Sequence, residues 1–101
     1  WLATGRQPQG RIARWSVARC LRSLGRHDEA LAIQRALEQE WAAAGSVDGY
    51  VFEEIAELLD AKGMAEAAKP YFRRAADELG KDPMFTRREP QRLARLRERG
   101  R

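Results

Sequence analysis

Apolar positions recur along this chain at the spacing of one helix face after another, and strict alternation never persists beyond three or four positions. Met64, Ala68, Tyr71, Phe72, Ala75 and Leu79 fall at i, i+4, i+7, i+8, i+11 and i+15, a single helical face. Gly80 is expected to supply a left-handed C-terminal residue there, with Pro83 shortly after. Tyr50, Val51, Phe52, Ile55, Ala56, Leu58 and Leu59 predict a short helix with a wide apolar face, N-capped by Asp48 and ended by Gly63. Ala30, Ile33, Leu37 and Trp41 form another stripe, ending at Gly45. Ile12, Trp15, Val17, Ala18, Leu21 and Leu24 form a fourth over about Arg11 to Leu24, ended by Gly25. In the tail, Thr86 to Glu89 has capping-box spacing, Phe85 and Pro90 can pack as a staple, and Leu93 and Leu96 carry the apolar side of a fifth helix that fades near Gly100.

The expected fold class is therefore all-α. Residues 1–10 read as a linker or the end of a preceding helix, with Trp1 and Leu2 seeking a pocket. Residues 11–45 and 46–80 read as two helix pairs, and 81–101 as a loop and a basic capping helix. Pro70 is expected in a first turn, from a helix start near Ala67, or at a slight kink, because proline inside a helix removes a hydrogen bond.

The turns repeat. Leu24–Leu31 and Ala61–Ala68 each place an alanine five residues after a glycine, Ala30 after Gly25 and Ala68 after Gly63. The offset from Gly25 to Gly63 lies in the range that signals stacked helix pairs. The residues resemble the tetratricopeptide repeat, sketched as W-x2-L-G-x2-Y, then A-x3-F, then P. The second unit matches with Phe52-x2-Ile55-Ala56-x2-Leu59 and Ala68-x3-Phe72, followed by Ala75, and Gly80 stands in place of the closing proline. The first unit matches at Val17-Ala18-x2-Leu21, Gly25 and Ala30, but Arg14 and Gln34 stand where aromatics belong, with Trp15 and Ile33 beside them. The resemblance covers about residues 12–80. It implies a right-handed stack of two helical hairpins plus the capping helix, with close crossing at Ala56 and Ala68 and with Phe52 and Phe72 as plugs.

Composition narrows the function. The chain has 101 residues, 44% hydrophobic and 34% charged, enough for one small folded domain. No apolar run approaches the length of a membrane span, so no membrane partner is expected. The sequence opens at Trp1 with no signal-peptide pattern and reads as an excerpt of a longer, cytoplasmic protein. Cys20 is the only cysteine and reads as a small buried hydrophobe; His27 is the only histidine and reads as a partly exposed turn residue. With no Gly-rich phosphate loop and no nucleophile set, no enzyme activity, metal or cofactor is expected.

Charge is uneven within a net +4: an acidic middle lies between basic ends. By the resemblance, the first helix of each pair lines a concave groove. That places Trp15, Arg19, Arg22 and Ser23 on one wall, and Tyr50, Glu53, Glu54, Glu57 and Asp60 on the other. These residues suit a basic peptide or helix, unless Arg19 and Arg22 pair with Glu54 and Glu57 within the chain. The family's Lys/Asn carboxylate clamp is not reproduced by Trp15 and Arg19. Arg88, Arg92, Arg95 and Arg99 recur at i, i+4, i+7 and i+11 on one helical face, a stripe that could meet phosphates or an acidic protein. Two functions compete: a protein-interaction scaffold binding a peptide or helix in the groove, and a nucleic-acid-binding module using the stripe. The first is favoured, because no aromatics interleave with the arginines. Self-association is expected if the stack does not continue before Trp1, since repeat stacks need about three units for stability.

Overall fold

The computed structural model describes residues 8–101, and among them every regular element is a helix: α1 (Pro8–Ser23), α2 (His27–Ala43), α3 (Gly49–Ala61), α4 (Ala65–Leu79), α5 (Pro83–Arg88) and α6 (Pro90–Arg99). The expectation for Trp1 and Leu2 lies outside the described residues.

Three of the turns share one construction. Gly25, Gly45 and Gly63 adopt φ of 80°, 75° and 78°, where a side chain would be strained. The amide after each glycine donates back to Leu21, Trp41 or Leu59, and each glycine's own amide donates to Arg22, Ala42 or Asp60. This paired bonding closes helix ends whose last carbonyls would otherwise lack donors. Asp48 caps α3 by accepting the Tyr50 amide at 2.8 Å.

The remaining boundaries depart from the sequence pattern. Gly80 is right-handed, with φ −68°, because the chain keeps turning the same way into α5 through the Lys81 and Asp82 amides bonded to Glu78 and Leu79. The tail holds two helices, not one. Asp82 caps α5 by accepting the Met84 amide, and Pro83 sits at its start, so Thr86 lies within a helix rather than capping one. Glu89 leaves helical geometry at φ −127°, ψ 52°, as expected of a residue before proline, and Pro90 starts α6. Pro70 lies inside α4, five residues after its first residue Ala65, where it withholds an amide from the Glu66 carbonyl.

The helices form two layers. α1, α3 and α6 lie side by side, with α2 wedged behind α1 and α3, and α4 behind α3 and α6. Ion-pair and aromatic contacts run in the same residue order along α1, α3 and α6, so these three helices are parallel: Trp15 meets Tyr50 and Arg22 meets Glu54, while Glu53, Glu57 and Asp60 meet Arg92, Arg95 and Arg99. The core follows the apolar stripes. Ile55, Ala56, Leu58, Leu59, Ala68 and Phe72 are sealed from solvent, and Phe52, 7% exposed, packs its ring 6.1 Å from Tyr71. Gly49 makes the approach of α3 to α4 possible: a Cβ there would stand 2.9 Å from Leu79 Cγ.

α1 behaves differently from its sequence pattern. Of its apolar set only Ala18 is buried; Ile12, Val17 and Leu24 are 65%, 53% and 71% exposed. Cys20, read as a buried hydrophobe, is exposed as well. Val17, Cys20 and Leu24 share the side of α1 turned away from α2 and α3, whereas Ile12 is open to solvent at the mouth of a pocket between the three helices.

Candidate functional site

α3 stands between two arginine-bearing helices, and its acids face them. Glu54 is 2% exposed and accepts from Arg22 of α1, Nε at 2.8 Å and Nη2 at 3.2 Å. Glu53 is 5% exposed and accepts from Arg92 of α6 through both oxygens, with Nε at 2.7 Å. Glu57 takes both terminal nitrogens of Arg95, and Asp60 pairs with Arg99. Each is a helix-to-helix rung, and a forked guanidinium on a carboxylate is the strongest form such a bond takes. The Glu53 carboxylate raises the Arg92 pKa above its ordinary value against an opposing effect of burial. Glu57 does the same for Arg95.

Glu53, Glu57 and Asp60 of the acidic wall and three members of the basic stripe are thus each other's partners. The alternative of pairing within the chain holds for Arg22 with Glu54 and fails for Arg19, whose guanidinium lies 5.4 Å over the Trp15 ring. Arg19 has no carboxylate partner among the described residues, and neither has Arg88, which is exposed. Arg92, Arg95 and Arg99 also lie 5.4–5.9 Å from the rings of Phe85 and Phe72, so their stems and guanidiniums shield the core beneath them.

Beside this face is an apolar pocket that the charge pattern did not reveal. Trp15, Trp41 and Tyr50 converge on it from three helices, with Ile12, Leu37 and Val51 as its floor and sides. Its volume is about 270 Å³, room for one large side chain. Trp15 and Tyr50 meet edge to face, with centroids 6.2 Å apart, and the Trp15 indole donates to the Tyr50 carbonyl at 3.3 Å. Tyr50 in turn meets Phe85 edge to face at 6.0 Å. At the rim the Arg11 guanidinium stacks 4.5 Å over Trp41. Arg14 holds Glu40 with bonds of 2.5 and 2.6 Å, which depresses the Glu40 pKa. The family resemblance puts Trp15 and Tyr50 on the groove, whereas the sequence pattern puts Trp41 in the core stripe of α2. Its i+4 step from Leu37 is ordinary core spacing, and nothing local shows that a turn later its ring lines an opening.

A second hollow of about 360 Å³ lies between α2, α3 and α4, ringed by Glu38, Trp41, Val47, Phe52, Arg74 and Glu78. Tyr71 donates to Glu38 at 3.0 Å nearby; burial first and that carboxylate second push the phenol pKa up. No three His, Cys, Asp or Glu side chains are grouped to hold a metal among the described residues. His27 is the half-buried first residue of α2. No helix among the described residues is long and apolar enough to cross a membrane.

No family model matches the chain, no curated protein matches it, and no solved structure matches it.

Proposed function

We propose that the chain is a non-catalytic protein-interaction module built from tetratricopeptide-type helix pairs, which seats an apolar side chain of a peptide or helix between Trp15, Trp41 and Tyr50. The observation that carries this reading is the convergence of three large aromatics from α1, α2 and α3 on one half-open apolar pocket. Aromatic residues with an arginine at the rim are the composition of interaction hot spots. On this reading the parallel row α1, α3 and α6 is the groove wall of a right-handed stack. The carboxylates Glu53, Glu54, Glu57 and Asp60 then hold the wall together, since each already carries an arginine. A basic partner, first suggested by those four acids, would have to compete with guanidiniums already in place. The affinity therefore comes from the pocket, and Arg19 and Arg88 are left to steer an approaching partner. The nucleic-acid reading is weakened by the same pairing, because three of the four stripe arginines are engaged with acids. A cytoplasmic setting remains part of the proposal.

Selection of peptides from a random displayed library against the purified chain tests this reading. Selected peptides should share one aromatic or long aliphatic residue, and Tyr50→Ala and Trp41→Ala chains that remain folded should lose them. Peptides that ignore both substitutions, or binding of an RNA pool at physiological salt in place of peptides, would overturn it.

A further inference from the structure

The offset from Gly25 to Gly63, applied along the chain, superimposes the three parallel helices in sequence: Ala18, Ala56 and Ala94; Val17, Ile55 and Leu93; Cys20, Leu58 and Leu96. Their burial is not alike. Ile55 and Leu58 are fully buried in α3, which packs on α2, and Leu93 and Leu96 are buried in α6, which packs on α4. Val17 and Cys20, the equivalent pair on α1, are exposed, and Leu24 extends the same open face.

Charge repeats the pattern. Arg95 of α6 pairs with Glu57 on the first helix of the preceding pair. Its equivalent on α1, two repeats earlier, is Arg19, which has no carboxylate among the described residues. The apolar pair that covers itself twice is uncovered once, and the arginine beside it lacks the acid that its equivalent has.

We propose that the outer face of α1, built on Val17, Cys20, Leu24 and Arg19, docks a further helix pair of the same construction, whose second helix covers Val17 and Cys20 and whose first helix presents a carboxylate to Arg19. This rests on the repeat correspondence and not on the peptide-binding pocket. A second copy of the chain does not fit the requirement. Its own carboxylate row is occupied by its α6. Two α1 faces brought together would offer Arg19 of each copy no acid, since α1 contains neither Asp nor Glu. The partner is a helix pair with an open acidic row, of the kind that α3 and α4 would be without α6.

A chain in which a copy of residues 49–86 directly precedes Arg11 supplies that pair at the native spacing. Cys20 is the reporter. In the original chain its thiol should react with a soluble disulfide reagent at the rate of an exposed cysteine. In the extended chain labelling should slow about tenfold or more, and Val17→Asp in that chain should restore the fast rate. Equal rates in the two chains would overturn the proposal, whether or not the added segment is helical, because docking on α1 is what should order it. Slow labelling in the original chain would overturn it too: with dimers in light scattering the occupant is a second copy, and with monomers the face is already covered.

Discussion

Glu53 of α3, almost sealed from solvent, is gripped through both oxygens by Arg92 of α6, 39 residues away in the chain. The pair lies between an exposed and a buried ion pair, since the Arg92 side chain keeps 31% of its exposure. Arg92→Ala leaves a buried carboxylate without its partner and should cost about 2 kcal/mol, between the values for surface and buried pairs. Adding Glu53→Leu should recover much of that loss, since replacing both charges with apolar groups is milder than orphaning one. Urea titration of the two single variants and the double variant checks the sign of the coupling.

Phe72 fills the space under α6, 2% exposed, with Arg95 and Arg99 laid over its ring. Phe72→Ala should cost about 3–5 kcal/mol, most of the stability of a small domain. A midpoint shift in denaturant corresponding to less than about 1 kcal/mol would remove Phe72 from its place as the plug between α4 and α6.

Gly49 opens α3 against α4. Its conformation is ordinary, so space alone forbids a side chain: a Cβ would lie 2.9 Å from Leu79 Cγ and 3.0 Å from Glu78 Cβ. Gly49→Ala should destabilise by about 1–3 kcal/mol through overpacking, despite alanine's better helix propensity. Gly25→Ala meets no neighbouring atom and is penalised only by its φ of 80°, so thermal melts of the two variants separate crowding from backbone strain.

Much of this architecture was legible from periodicity. α3 is buried over most of its length and α4 along one stripe from Ala68 to Leu79, and burial is what the hydrophobic pattern records. The α3 cap at Asp48 and the glycine turns follow from local chemistry in the same way. What stayed hidden depends on residues distant in sequence. The arginine stripe and the acidic row looked like two solvent-facing surfaces, because nothing in a local window shows that Arg92 meets Glu53. A longer comparison could have shown it. At the Gly25-to-Gly63 offset, Arg92 falls on Glu54 and Leu93 on Ile55, the register in which α6 lies parallel to α3. α1 misled for the opposite reason: Val17 and Cys20 carry the apolar pattern of a buried face that the described residues do not cover.

Acid should loosen the α1–α2 contact and the ion pair between the start of α2 and the end of α3. The Arg14 guanidinium holds the Glu40 pKa below its usual value, and Lys62 does the same for the exposed Asp28. A depressed carboxylate contributes stability that is complete above its unfolded pKa of about 4.3 for Glu and is lost as pH falls through the lower folded value. The melting temperature should therefore decline on the acid side of that range. Glu40→Gln should flatten part of the decline, by under about 1 kcal/mol, because the Glu40 side chain is 40% exposed. Arg14 stays charged throughout, since a guanidinium keeps its proton across this whole range.

The central claim is that partners enter between Trp15, Trp41 and Tyr50. It is tested most directly by titrating an isotope-labelled chain with a library-selected peptide and following amide and indole shifts by nuclear magnetic resonance. The account predicts that the largest changes fall on the Trp15 and Trp41 indoles, on Tyr50 and on Leu37 and Val51 beneath them, while Glu57, Asp60, Arg95 and Arg99 barely move. Shifts concentrated on those four charged residues, with the two indoles unchanged, would contradict it.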